Sequence, residues 1–170
     1  KSTYGEIQGA NIVDWPISYE ELEPFYTQVE SLMGVSGHAK PHTFLEPRST
    51  ADFPYKALME NGVTQWFDKA CEVLAFESIP TPRAILPQNA LERNSCSYSN
   101  FCGSYPCATG AKSSARAALL QKCKAKIITE AFVYKLSSNK TEVTTAWYYD
   151  NKGVSNSIEA KIFVVAAQAI

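Results

Sequence analysis

The sequence has little charge of either sign and no long apolar run. Charged residues make up 19% of its 170 residues, and the formal net charge is −1. A chain with so little net charge does not attract the phosphate backbone of nucleic acid. Its longest apolar run, residues 162–167, is far shorter than the roughly 20 residues that cross a bilayer. These absences predict a globular chain without a nucleic-acid partner or a transmembrane segment.

Two features typical of cofactor-dependent enzymes are also missing. The sequence contains no G-x-G-x-x-G motif, whose glycines allow close approach to a dinucleotide pyrophosphate. It has only two histidines, His38 and His42, and both lie in a loop-like stretch where solvated side chains are expected.

No signal peptide opens the chain, which stops directly after a strand of the buried parallel type. We therefore expect an interior segment of a longer protein, with no catalytic residue of its own.

The sequence does have a cluster of cysteines. Three of its five, Cys96, Cys102 and Cys107, lie at intervals of six and five residues in one loop. Thiolates that converge at such intervals indicate a metal, an iron–sulfur cluster or a disulfide. An odd number of cysteines cannot pair completely within one chain. Cys71 and Cys123 each lie among apolar residues at helical spacing, so we expect both to be buried.

The first two thirds of the chain predict helices and loops. Ser18 and Glu21 form a capping box, and Gly34 is placed to end the helix that follows. Further helices are predicted over residues 62–76 and, more briefly, over about 114–124. The apolar stripe of the first helix consists of Leu22, Phe25, Val29 and Leu32.

The last third predicts an antiparallel meander. Residues 131–136 and 143–149 are alternating, β-branched or aromatic, which is typical of strands, and residues 150–153 form a turn. A further strand is predicted over 158–167, and its wholly apolar end is typical of a strand buried on both faces. The predicted order is therefore helices and loops, then a meander that ends in a buried strand.

Three segments in this order resemble the glucose–methanol–choline oxidoreductase family, in the branch with the large subunits of gluconate and related sugar dehydrogenases. They are residues 14–26 with Gly34-Val-Ser-Gly37, the cysteine loop 101–114, and residues 163–170. The match covers most of the chain. It implies an α+β segment of an α/β, Rossmann-like FAD-binding oxidoreductase, in which a helical substrate-side region precedes an antiparallel β-meander and a buried strand.

The resemblance also implies a division of the chain into three parts. Residues 1–95 form the substrate-side region, residues 96–125 the cysteine loop and a short helix, and residues 126–170 the meander and the strand that returns to the FAD domain. Enzymes of this branch often work in the periplasm or at a membrane, but the sequence itself carries no targeting signal.

An activity and a cofactor site follow from the same resemblance. It implies oxidation of the CH–OH group of a sugar, sugar acid or other alcohol by hydride transfer to FAD. It implies that the backbone of Val133 contacts the adenine, and that Ala167, Gln168 and Ala169 lie close to the cofactor. The implied partners are the sugar or alcohol substrate and an electron-acceptor subunit or cytochrome.

For the cysteine loop, the resemblance implies an iron–sulfur cluster on Cys96, Cys102 and Cys107, because some sugar dehydrogenases of this branch carry a three-iron cluster there. The interval from Cys102 to Cys107 is one residue longer than in those enzymes. Two alternatives from other classes stay open. A small iron–sulfur or metal-binding electron-transfer module would bind a cluster without flavin turnover. A disulfide-stabilised structural domain, with Cys96 paired to Cys102 or Cys107, would bind no cofactor. Three reduced thiols without a partner are the remaining alternative for the loop.

Overall fold

The chain divides into two compact units, Lys1–Cys123 and Lys124–Ile170. The structure is a computed structural model, and it describes residues 5–42, 45–99, 102–103 and 107–167. Over those ranges, every helix is too short or too polar to cross a lipid bilayer.

Helix α1 spans Tyr19–Met33 and begins as the sequence predicts. The Ser18 hydroxyl accepts a hydrogen bond from the N–H of Glu21 at 3.2 Å. The Glu21 carboxylate accepts one from the N–H of Ser18 at 2.8 Å, so the predicted capping box is confirmed. The helix ends at Gly34, whose φ of 74° lies in the left-handed region that glycine adopts readily.

A short parallel strand pair follows α1. Strand β1 (Ser36–Gly37) pairs with strand β2 (Tyr55–Lys56), and the loop between them returns to α1. The carboxylate of Glu23, buried on α1, accepts hydrogen bonds from the N–H of Ser49 at 2.9 Å and from its hydroxyl at 3.1 Å. The bond from the Ser49 backbone, with that from the neighbouring Thr27 hydroxyl, holds the pKa of Glu23 below its usual range. This contact fastens the loop to the helix.

Helix α2 spans Gly62–Val73, close to the predicted range. Asn61 caps it by accepting hydrogen bonds from the N–H groups of Val63 and Thr64 at 2.9 and 3.0 Å. Cys71 is the buried residue of this helix, which confirms the prediction for that thiol.

The apolar stripes of α1 and α2 do not form the core of this unit. Trp66 is 75% exposed, and most other large apolar residues on the two helices are at least half exposed. Among the described residues, the buried apolar ones are Cys71, Leu86, Ala111 and Ala118. Three of these four come from the region around the cysteine loop, so the packed part of the unit lies there.

The third helix is shorter than predicted. Helix α3 spans only Ala115–Ala118, capped by Ser114, and a 3₁₀ turn over Leu120–Lys122 follows it. Because the α-helix ends before the turn, Cys123 does not continue a helical apolar face. Cys123 is exposed, so the prediction that it is buried is wrong.

The second unit is the predicted antiparallel meander. Strands β3 (Phe132–Ser138), β4 (Val143–Tyr149) and β5 (Ser155–Glu159) form one sheet in the order β3-β4-β5. The turn between β4 and β5 is confirmed, since the N–H of Gly153 donates to the carbonyl of Asp150 at 2.9 Å. An α+β arrangement with an antiparallel sheet is therefore present, and β3 lies at one edge of it.

The predicted buried strand over 158–167 is wrong. Only its first two residues belong to β5, and residues 160–167 form no strand. Ile162 is 80% exposed and Val164 is 84% exposed. A strand buried on both faces needs pairing strands at its edges and other elements packed over its faces, and the described residues of this unit supply neither for the segment.

Candidate functional site

The cysteine loop is closed at its base by one residue, Leu86. The N–H of Cys96 donates to the carbonyl of Leu86 at 2.8 Å, and the N–H of Leu86 donates to the carbonyl of Ala111 at 3.1 Å. The side chains of Leu86 and Ala111 are fully buried. We call these three residues the neck. The two ends of the cysteine loop, Cys96 and Ala111, therefore meet at the neck.

The chain that leaves the loop runs back along the chain that leads to it. Ile85 pairs with Lys112 in an antiparallel bridge, and the N–H of Ser113 donates to the carbonyl of Ala84 at 2.7 Å. Prolines surround the leading segment and keep it out of a helix, so its backbone groups are available for this pairing.

Two of the three loop thiols are contacted by backbone N–H groups. The N–H of Tyr98 lies 3.4 Å from the sulfur of Cys96, and the N–H of Lys112 lies 3.4 Å from the sulfur of Cys107. The ammonium of Lys112 donates to the carbonyl of Cys102 at 3.4 Å. Lys112 is exposed but contacts both Cys102 and Cys107, a role that its sequence context does not indicate.

The surroundings of Cys107 favour its thiolate. The N–H of Lys112 and the Thr109 hydroxyl, 3.5 Å from the sulfur, lower the pKa of Cys107 to about 7. An ordinary cysteine has a pKa of about 8.5, so Cys107 is much more ionised near neutral pH. The thiolate is the form of cysteine that binds metals and attacks electrophiles.

The structure does not assemble the three cysteines into a metal site. All five cysteines of the chain are free thiols, and Cys102 is exposed. Within the part of the chain that is described, no three His, Cys, Asp or Glu side chains come together as ligands for a metal ion. The described residues therefore show no ligand set for an iron–sulfur cluster, and the cluster on Cys96, Cys102 and Cys107 stays a prediction.

The residues expected near FAD belong to the second unit. Val133 is 57% exposed on β3 and pairs with Tyr148 of β4. No described strand pairs with the outer edge of β3, and an edge strand offers unpaired backbone N–H and C=O groups. Groups of this kind are the donors and acceptors that an adenine base needs, and the contact of Val133 with adenine stays a prediction. Ala167 is exposed, whereas Gln168 and Ala169 lie outside the described residues.

His38 is exposed, as predicted, but it has a partner. Its Nδ1 lies 2.9 Å from a carboxylate oxygen of Asp52. The other Asp52 oxygen accepts hydrogen bonds from the N–H groups of Ala39 and Phe53 at 2.7 and 2.8 Å. The bond to His38 is the largest influence that lowers the pKa of Asp52 to about 2. The pair ties the end of β1 to the loop before β2.

Two buried residues near the cysteine loop carry no signal in the sequence. Leu86 lies in a proline-rich stretch without a helical or strand period. Arg93 is buried, although arginine is usually exposed, and it contacts Met33 at a separation of 60 residues. Local patterns do not reveal such a distant contact.

Comparison with known proteins identifies relatives along nearly the whole chain. The large subunit of fructose dehydrogenase from Gluconobacter japonicus is 32% identical over 99% of this chain and 30% of its own length. The gluconate 2-dehydrogenase flavoprotein of Pantoea cypripedii is 27% identical over 94% of this chain and 30% of its length. The 2-methyl-1,2-propanediol dehydrogenase of Mycolicibacterium austroafricanum is 27% identical over 100% of this chain and 31% of its length. No protein-family model matches the chain. The chain thus spans about 30% of the length of these curated relatives.

Proposed function

Because the chain is a relative of the glucose–methanol–choline-type oxidoreductases, we propose that it forms part of an FAD-dependent enzyme that oxidises a CH–OH group. The family resemblance predicted from three segments of the sequence is confirmed by these relatives. The proposed donor is a sugar, sugar acid or other alcohol. One observation carries the proposal: similarity to the large subunit of a fructose dehydrogenase extends over 99% of this chain.

When bound, FAD supplies the group that accepts the hydride from the substrate carbon. For this chain, we propose that the backbone of Val133 holds the adenine, and that Ala167, Gln168 and Ala169 lie near the cofactor. The position of Val133 on the edge strand β3 and its partial exposure support the first contact. The proposal gives no proton-transfer role to any residue of this chain.

We expect the native protein, purified without oxygen, to show a two-banded flavin spectrum that bleaches when a sugar or alcohol donor is added. The matched control is the corresponding oxidised product, which has no hydride to give and should leave the spectrum unchanged. A colourless protein, shown to be loaded with whatever it binds, would contradict the proposal and favour the structural alternative.

An iron–sulfur cluster and an electron-accepting partner are finer proposals for the same protein. The loop brings three cysteines into a segment closed by the neck, and the low pKa of Cys107 favours a thiolate ligand. One relative is named as a large subunit, which supports a partner subunit or cytochrome for this protein. Neither proposal is needed for the flavin chemistry.

Replacing Cys102 by serine is expected to abolish any broad iron–sulfur absorption and its iron content, while the flavin stays bound. A serine hydroxyl is a poor replacement for a thiolate on iron. The control is Cys123→Ser, which removes another exposed thiol outside the loop. Iron analysis and visible spectra of both variants provide the measurement. A cluster signal that survives Cys102→Ser, or native protein without iron, would rule out this ligand set.

A further inference from the structure

The C-terminal end of α1 receives a positive charge from a distant segment. Backbone carbonyls at a helix C-terminus carry partial negative charge, which a nearby cation stabilises. Helix α1 has no basic residue in its last turn. Arg93 supplies the charge instead, because its Nη2 donates to the carbonyl of Met33 at 2.7 Å. Arg93 is only 7% exposed, so its guanidinium is buried against the end of the helix.

Met33 is contacted from both flanks of the cysteine loop. Arg93 lies just before Cys96 in the chain, and its guanidinium reaches the Met33 carbonyl. Ser113 lies just after Ala111, and its hydroxyl is 3.7 Å from the Met33 sulfur. The end of α1 therefore contacts both of the chain segments that meet at the neck.

A strained turn presents Arg93 to the helix. Ala90 and Arg93 exchange two backbone hydrogen bonds of 3.1 and 2.9 Å. Leu91 and Glu92 between them have φ values of 52° and 60°, which residues other than glycine seldom adopt. Such strain persists only where the surrounding contacts enforce it. The contact of Arg93 with the end of α1 is the contact that this turn makes possible.

We propose that Arg93 is a positioning residue, which caps the C-terminus of α1 and thereby fixes the neck of the cysteine loop. Arg93 acts on Cys96 and Cys107 through the loop and does not bind them. The role does not depend on whether the loop carries a cluster or the protein carries a flavin.

The charge distribution favours this role over an anion site. Nε and Nη1 of Arg93 are buried and have no acceptor among the residues that the structure describes. An anion placed there would lie beside the negative end of α1, which would repel it. Since the cap uses only the bond to Met33, a lysine that reaches the same carbonyl should replace the arginine.

The test measures how fast iodoacetamide alkylates each thiol at about pH 9.5, where an ordinary cysteine is mostly thiolate and the rate reports access to the sulfur. Peptide mass spectrometry follows each thiol, with the exposed Cys123 as the internal reference. In Arg93→Met, we expect Cys96 and Cys107 to react on the order of tenfold faster, as the loss of a helix-terminus interaction implies. Cys71, buried on α2, should stay protected. Arg93→Lys should retain the protection of the loop thiols. Arg116→Met, which removes an exposed arginine on α3, is the matched control and should change nothing.

Three results would overturn the proposal. One is equal protection of the loop thiols in Arg93→Met and in the unchanged protein. Another is a loss of protection of the loop thiols in Arg93→Lys that is as complete as in the urea-unfolded protein. The third is protection by inorganic phosphate that disappears in Arg93→Met, which would assign an anion site instead. If Arg93→Met fails to fold, Arg93→Lys alone decides. No flavin signal enters the measurement, so its failure leaves the oxidoreductase proposal standing.

Discussion

Replacing Gly34 by alanine is expected to destabilise the unit Lys1–Cys123 by about 2–5 kcal/mol. Gly34 has a φ of 74°, where a β-carbon costs about 1–2 kcal/mol. A β-carbon there would also lie 2.7 Å from Leu86 Cδ2 and 2.9 Å from Arg93 Nη2. Forcing these side chains apart adds about 1–3 kcal/mol. Urea unfolding followed by far-ultraviolet circular dichroism measures the difference in free energy of unfolding.

Two other glycines separate backbone strain from crowding. Gly110 has a φ of 73°, but a β-carbon added to it would meet no atom within 4 Å. Gly110→Ala should therefore cost only the strain of about 1–2 kcal/mol. Gly62, at the start of α2, has open space and no positive φ, so Gly62→Ala should be neutral or stabilising. If Gly34→Ala costs no more than Gly110→Ala, then α1 does not end in close contact with Leu86 and Arg93.

The parts of the fold that depend on neighbouring residues were predictable from the sequence. The capping box of Ser18 and Glu21 forms because side chain and backbone are three residues apart. The strands around residues 131–136 and 143–149 follow their alternation and β-branching, and a glycine marks the turn after them. In each case the physical cause lies within a few residues of the element it produces.

The parts that depend on distant partners were not predictable. An apolar stripe indicates which face of a helix prefers burial, but it does not identify what covers that face. Trp66 fits a helical stripe and is nevertheless 75% exposed. The apolar run after β5 likewise has no described neighbour to pair with, so it does not form the expected strand. Cys123 is exposed because α3 stops early, an end point that no capping residue signals.

The candidate site was likewise predictable only in the parts that depend on neighbouring residues. The spacing of Cys96, Cys102 and Cys107 predicts one loop, and the structure closes that loop at the neck. Spacing does not determine whether the three sulfur atoms converge, because that depends on backbone contacts such as those of Lys112. The expected FAD contacts came from family resemblance, since no local pattern distinguishes Val133 from other strand residues.

Replacing Leu86 by alanine is expected to lower the free energy of unfolding of the same unit by about 2–5 kcal/mol, the range for a buried leucine. Its side chain is fully buried and lies against Gly34 at the end of α1. The other buried apolar residues that are described in this unit are small, so they offer little to fill the space. Urea unfolding monitored as for Gly34→Ala measures the loss.

The alanine variant keeps the backbone groups of Leu86, and this separates its packing from its hydrogen bonds. The bonds to Cys96 and Ala111 use only the main chain, so they can still form when the side chain is shortened. The matched control is Leu120→Ala, because Leu120 is 47% exposed and its truncation should change stability by less than about 0.5 kcal/mol. Equal stabilities of the two variants would contradict a core centred on Leu86.

A large loss of stability in Leu86→Ala with the loop thiols still protected from alkylation would show that the main-chain bonds hold the neck without the side chain. A large loss with faster alkylation of Cys96 and Cys107 would show that the neck depends on packing, and that the order of the cysteine loop is set by the core beneath it.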